Sequence, residues 1–205
     1  MITPDILLRL GWVDPEAWAP IIAAACDKNA INTTQRAAMF LANVGHESGG
    51  GRKLVEDLNY TPTALLSQWP KHFTPETAQA LGRTEGKAAD QRGIANAAYN
   101  GRMGNNLPGD GWAWRGRGLL QITGRAGYSR VAVMLGIPLD ELAAALETRQ
   151  GAADSAAMWW RLSGCNQMAD AGKIAAVRAI VNGGSIGLDD VMARYRVATA
   201  ALGGA

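Results

Sequence analysis

At Asp14-Pro15, Thr61-Pro62 and Thr74-Pro75 a helix-capping side chain is followed at once by proline. A side-chain oxygen at the cap satisfies an orphan N–H, and proline at the first helical position gives up an N–H that had no partner anyway. A chain punctuated in this way is built of short helices joined by turns. Abundant alanine and short β-branched runs favour the same outcome. The three signatures predict helices over 14–29, 61–69 and 74–82. A further one opens at Thr33 or Thr34, carries Phe40, Leu41 and Val44 on its apolar stripe and runs into Glu47. Others are expected over 90–100, 124–135, 147–162, 173–181 and 188–202. Residues 101–118, GRMGNNLPGDGWAWRGRG, read as a long irregular loop. The segment LLQIT, residues 119–123, is the best extended candidate. If it is extended, Leu120 and Ile122 point one way and Gln121 and Thr123 the other. The expected fold class is all-α with at most a short β segment.

At 205 residues, 48% hydrophobic and 19% charged, the chain has enough apolar material for a core and suits one domain over 1–205. A smaller lobe over about 60–108 is expected; no repeat or low-complexity linker interrupts the chain. A formal net charge of +2 with scattered arginines marks no nucleic-acid partner. No stretch approaches the ~20 apolar residues of a membrane span. The opening MITPDILLRLGW lacks a basic n-region and a long apolar run, so no signal peptide is expected and the protein is placed in the producing cytoplasm. Cys26 and Cys165 make no framework and read as free buried thiols. With only His46 and His72 and no metal-binding motif, metal chemistry is not expected.

The stretch HESGGGRKLVEDLNY, residues 46–60, places Gly49-Gly50-Gly51 between Glu47 and Glu56. On one continuous helix the two glutamates would stand about 900° and ~13.5 Å apart, facing opposite ways. Fully extended, the span reaches up to ~30 Å. Glycines tolerate positive φ, so the helix can stop and the chain fold back to bring Glu56 opposite Glu47. Paired carboxylates across a cleft can cut a glycosidic bond, one as acid and the other as base or nucleophile. Glu47, ending an apolar stripe, is the better acid, and Glu56, among polar neighbours, the better base. A pair of surface glutamates flanking a glycine turn has the same spacing.

GHESGG with the following EDLNY, then WRGRGLLQITGR-x-x-Y at 114–128, then VNGG at 181–184, resemble glycoside hydrolase family 19. Within it they look most like the phage endolysins and related bacterial lysozymes. The resemblance runs in order from about residue 35 to 196. It implies a lysozyme-like, two-lobed helical fold with a central cleft and inverting hydrolysis of β-1,4 linkages in chitin or peptidoglycan. It also implies Glu47 as general acid, Glu56 as base, Thr123 as a holder of the nucleophilic water, and Gln121 and Asn182 as substrate contacts. Gly127 departs from many relatives, which carry asparagine there. Trp112, Trp114 and Tyr99 are candidate sugar contacts, and His46 a candidate to orient Glu47; each has an ordinary packing alternative. Asn182 also suits a helix C-cap. Arg115 and Arg117 suit pairing with structural carboxylates or contact with acidic substrate groups. Trp159 and Trp160 read as packing.

The resulting expectation is a monomeric endolysin that needs no metal or organic cofactor and acts on peptidoglycan glycan strands after release. A lytic transglycosylase or goose-type lysozyme, a chitinase, and a non-catalytic glycan-binding module are the rivals.

Overall fold

The computed structural model describes residues 2–203, which are mostly helical and contain no sheet. The helices in chain order are α1 (Pro4–Arg9), α2 (Pro15–Lys28), α3 (Thr34–Glu47), α4 (Pro62–Gln68), α5 (Pro75–Leu81), α6 (Gln91–Tyr99) and α7 (Asp110–Ala113). They continue with α8 (Arg125–Leu135), α9 (Leu139–Leu146), α10 (Arg149–Leu162), α11 (Cys165–Asp170), α12 (Ile174–Asn182) and α13 (Leu188–Gly203). None is long and apolar enough to cross a membrane. Thr33, Thr61 and Thr74 each accept an N–H three residues on, as caps should. Asp14 does not: it sits at φ +45° without a cap bond, and its carboxylate pairs with Arg149 instead. Short α1, α7, α9 and α11 were not expected from the sequence.

The core is organised around α3. Residues 37–45 of this helix are all buried, and α13 packs along it, with α10, α11 and α12 also in contact. Phe40 meets Trp160 edge-on at 5.4 Å, and Trp12 meets Trp18 in the same way at 5.4 Å. Each large side chain here contributes roughly 1.5–3 kcal/mol through burial. A second cluster, including Leu58, Leu65, Phe73, Ile94 and Tyr99, gathers α4, α5 and α6. A third joins Tyr128, Val131, Leu142 and Leu146 from α8 and α9. Cys26 and Cys165 are free and buried; burial pushes both thiols up, Cys165 to about 12.

The end of α3 explains the three glycines. Gly49, Gly50 and Gly51 have φ of +59°, +71° and +77°. The N–H of Gly50 bonds to Gly45 O at 2.8 Å and that of Gly49 to His46 O at 3.3 Å, the paired bonds of a Schellman stop. Buried Ser48 ties the turn, donating to Val44 O and accepting from Gly51 N–H. Lys53 N–H then returns to Ser48 O at 3.0 Å, so the chain doubles back. At Gly51 a Cβ would lie 2.6 Å from Trp18 Nε1, whereas at Gly49 it would meet nothing within 4 Å. Gly51→Ala is therefore expected to cost about 2 kcal/mol in urea denaturation, against about 1 for Gly49→Ala. Equal costs would mean that the tryptophan contact is not limiting.

Two local expectations are corrected. Residues 119–123 are not extended. Arg117 and Ile122 exchange both backbone hydrogen bonds, at 3.1 and 2.8 Å, and residues 118–121 form the turn between them. Gln121 closes it at φ +49°. The Leu119-Leu120 run suits a strand by composition, but a short apolar run does not fix its own conformation. Leu120, Ile122 and Thr123 consequently line one cavity, so the expected separation of polar and apolar side chains does not hold.

The 101–118 loop is also not wholly irregular, since α7 lies within it. Polar side chains replace the missing ladder. Asn105 donates to Tyr99 O and accepts from Arg125 N–H, while Asn100 and Asn96 accept from Gly111 and Trp112 N–H. Gly111 is needed where α7 approaches α6, because a Cβ would sit 2.4 Å from Ala95 O.

Candidate active site

Glu47 is the last residue of α3, and its carboxylate is held from one side. Arg178 of α12 donates to Oε1 at 2.5 Å, and its Nε donates to Ile186 O at 2.7 Å. Arg178 is only 2% exposed, so its charge needs this partner. Asn182 donates to the same Ile186 carbonyl at 2.8 Å and accepts from Gly184 N–H, which folds the 183–187 loop over the end of α12. In this structure the Asn182 amide is therefore occupied by its own loop.

His46, beside Glu47, meets Asp190 of α13 through Nδ1 at 2.7 Å, and Arg194 donates to the same carboxylate oxygen. Burial works to raise the Asp190 carboxyl, but the His46 and Arg194 hydrogen bonds outweigh it and hold it below the usual range. Arg194 also donates to Leu10 O, which anchors this pair to the start of the chain.

Glu56 lies on the returning segment, which pairs with residues 116–118: Val55 bridges Arg117, and Glu56 N–H bonds to Gly116 O at 2.9 Å. Its carboxylate accepts from Tyr99 OH at 2.5 Å and from Gly116 N–H at 3.1 Å. Burial and then the bond to Glu56 push the Tyr99 hydroxyl up, so it stays a neutral donor. Two donors on one carboxylate hold Glu56 in a fixed orientation. Gln121 closes the group. Its Nε2 donates to Gly118 O and Lys53 O, and a Cβ at Gly116 would fall 2.8 Å from its Oε1 and 3.4 Å from Glu56 Oε2. Thr123 donates to Gln121 O at 2.9 Å, leaving its oxygen lone pairs open to accept.

The loop tryptophans are less free than their position suggests. Arg115 stacks 3.8 Å from the Trp112 ring, and Arg125 lies 4.9 Å over Trp114. Trp114 also meets Tyr128 edge-on at 5.2 Å and donates its indole N–H to Asp110. Arg117 and Arg115 both face Glu147, at 2.7 and 3.6 Å, so the arginines flanking Gly116 are paired with a structural carboxylate. Trp160 is fully buried, while Trp159 reaches the cavity that Thr123 lines.

The geometry forms two groups: Glu56 with Tyr99 and Gln121 around Gly116, and His46-Glu47 with the end of α12 and α13. Arg178, Asp190 and Arg194 were absent from the sequence-derived site. Arg178 did leave a signal. It falls on the apolar stripe Ile174, Val177, Val181 of α12, where an arginine has to find a buried partner.

Tyr99→Phe tests the support of Glu56. It removes a hydrogen bond to a charged group, and activity is expected to fall about tenfold with little change in melting temperature. Unchanged turnover would show that Gly116 N–H alone suffices.

A lysozyme-like helical domain presenting two glutamates, each held by hydrogen-bond donors, is the class that fold and site define. The chain matches no family model. It is 35% identical over 180 residues, covering 85% of this chain and 84% of the relative, to a glycosyl hydrolase family 19 domain-containing protein from Haemophilus influenzae. The chain belongs to glycosyl hydrolase family 19.

Proposed function

We propose that this protein is an endolysin-type peptidoglycan hydrolase that cleaves β-1,4 glycosidic bonds of the glycan strand with inversion. The observation that carries the assignment is the fixed Glu56 carboxylate, on a segment that the glycine turn returns from Glu47. In this mechanism Glu47 protonates the leaving oxygen, and Arg178 stabilises the carboxylate that remains. Glu56 takes a proton from water on the opposite face of the sugar, and the free lone pairs of Thr123 orient that water. Gln121, whose Oε1 faces Gly116 as Glu56 Oε2 does, serves substrate positioning. No cofactor takes part. The enzyme acts as a single chain on the wall after release from the cytoplasm that made it.

Mass spectrometry of digested peptidoglycan tests the reading. Hydrated reducing ends on muramic acid are expected. Ends in the 1,6-anhydro form, with Glu56→Gln still active, would instead mark a lytic transglycosylase. Faster turnover of chitin oligomers than of peptidoglycan would mark a chitinase, and binding without cleavage a glycan-binding module.

A further inference from the structure

Beside Thr123 lies a cavity of about 160 Å³, lined by Leu120, Ile122, Gly127, Arg130, Trp159 and their neighbours. Its volume is several times what one water needs. Gly127 is what keeps it open. This glycine is the third residue of α8, where glycine costs roughly 0.5–1 kcal/mol relative to alanine. It has no positive φ, and an added Cβ would meet only Ile122 Cγ2, at an ordinary 3.6 Å. Neither backbone conformation nor crowding calls for glycine here; a side chain would project into the cavity.

Arg130, one turn along the same helix and exposed, lines the cavity, and its side chain makes no ion pair or hydrogen bond among the described residues. The other arginines around this site are committed: Arg115 and Arg117 to Glu147, Arg125 to Asp110, Arg178 to Glu47. A free guanidinium beside a small, mostly apolar cavity is complementary to a short carboxylate-bearing group.

We propose that this cavity takes a carboxylate tethered by a short ether arm to a sugar of the bound glycan, with Arg130 as its counter-ion and Gly127 as its opening. The inference rests on the reading of the protein as a glycan hydrolase, and it makes Arg130 a specificity determinant. An unsubstituted N-acetylglucosamine polymer has nothing to offer it. The free lactyl group of muramic acid is such a carboxylate; an attached stem peptide turns it into an amide and offers its own carboxylates farther along the same arm, which is the second source to be distinguished.

The experiment is titration calorimetry in a Glu47→Gln background, or in Glu56→Gln should the first melt early, so that binding is read without turnover. Three tetrasaccharides are compared: chitotetraose, alternating N-acetylglucosamine–N-acetylmuramic acid with free lactyl groups, and the same oligomer bearing stem peptides. Arg130→Gln is expected to weaken at least one anionic oligomer about tenfold and chitotetraose by less than about twofold. Which anionic oligomer responds identifies the source. Gly127→Leu, which fills the cavity, is expected to reproduce the selective loss. Equal effects on all three oligomers, or none on any, would overturn the proposal. If Arg130 discriminates while the parent protein releases no reducing ends from any polymer, the cavity assignment stands and the catalytic reading fails.

Discussion

Glu47→Gln should fold and release reducing ends from peptidoglycan at least about 10³-fold more slowly than the parent protein. Glutamine keeps a carbonyl oxygen for Arg178 but has no proton to give the leaving oxygen. Rate and stability therefore separate. Arg178 is nearly fully buried, so losing the partner charge will lower the melting temperature by a few degrees. That loss does not account for a thousandfold drop measured well below the midpoint. A variant within about tenfold of the parent would remove Glu47 from the acid role, since general-acid catalysis is ordinarily worth at least a factor of ~10².

Asp110→Ala should produce the largest loss of stability. The residue is 3% exposed, and its side chain accepts four hydrogen bonds, from Leu107 N–H, Trp114 Nε1 and both Nε and Nη2 of Arg125. It joins the 101–118 loop to the start of α8. Truncation leaves a guanidinium and an indole N–H without their acceptor. The expected cost is about 3 kcal/mol, the low end for breaking a buried pair, because the Arg125 side chain remains 33% exposed. For a domain of this size that is a fall of about 6–12 °C.

The same carboxylate sets an acid limit. Its hydrogen bonds from Arg125 outweigh burial and hold it at about 2, below its ordinary 3.8. A depressed carboxyl stabilises the fold above its unfolded-state value and loses that contribution as pH falls through the folded one. The parent protein should thus lose stability between pH ~4 and ~2, and Asp110→Asn should lose less across that window. Matching acid profiles, or a melting shift under about 2 °C for Asp110→Ala, would contradict this role.

Much of the helical frame is legible in the sequence because its signals are local. Thr33, Thr61 and Thr74 announce their helices through chemistry confined to one turn, and Gly49-Gly50-Gly51 announces a stop. The failures occur where distant residues decide. Gln121 adopts a left-handed conformation within a turn stitched to Lys53, far away in sequence. Its neighbours LLQIT carry strand-like composition but no trace of that stitching. Asp14 shows how a cap signature can be overridden, since Arg149 takes its carboxylate.

The site divides in the same way. Glu47 and Glu56 stand out through the glycines between them. The groups that hold them, Arg178 and the Gly116 N–H, lie far along the chain. Tyr99, singled out as a sugar contact, donates to Glu56 in this structure, a bond its sequence neighbourhood does not reveal. Trp112 and Trp114 were candidates because they sit in a loop, yet each carries a guanidinium on its ring. Aromatic residues in a loop do not reveal from sequence which of their faces is taken.

The central claim is that Glu47 and Glu56 act on one linkage from opposite faces, with water as the nucleophile. Proton NMR of the reducing ends released in the first minutes of digestion tests it most directly. Cleavage of a β-linkage by this pair predicts that the α-anomer appears first and equilibrates later. A β-anomer appearing first, or 1,6-anhydro ends, would contradict it.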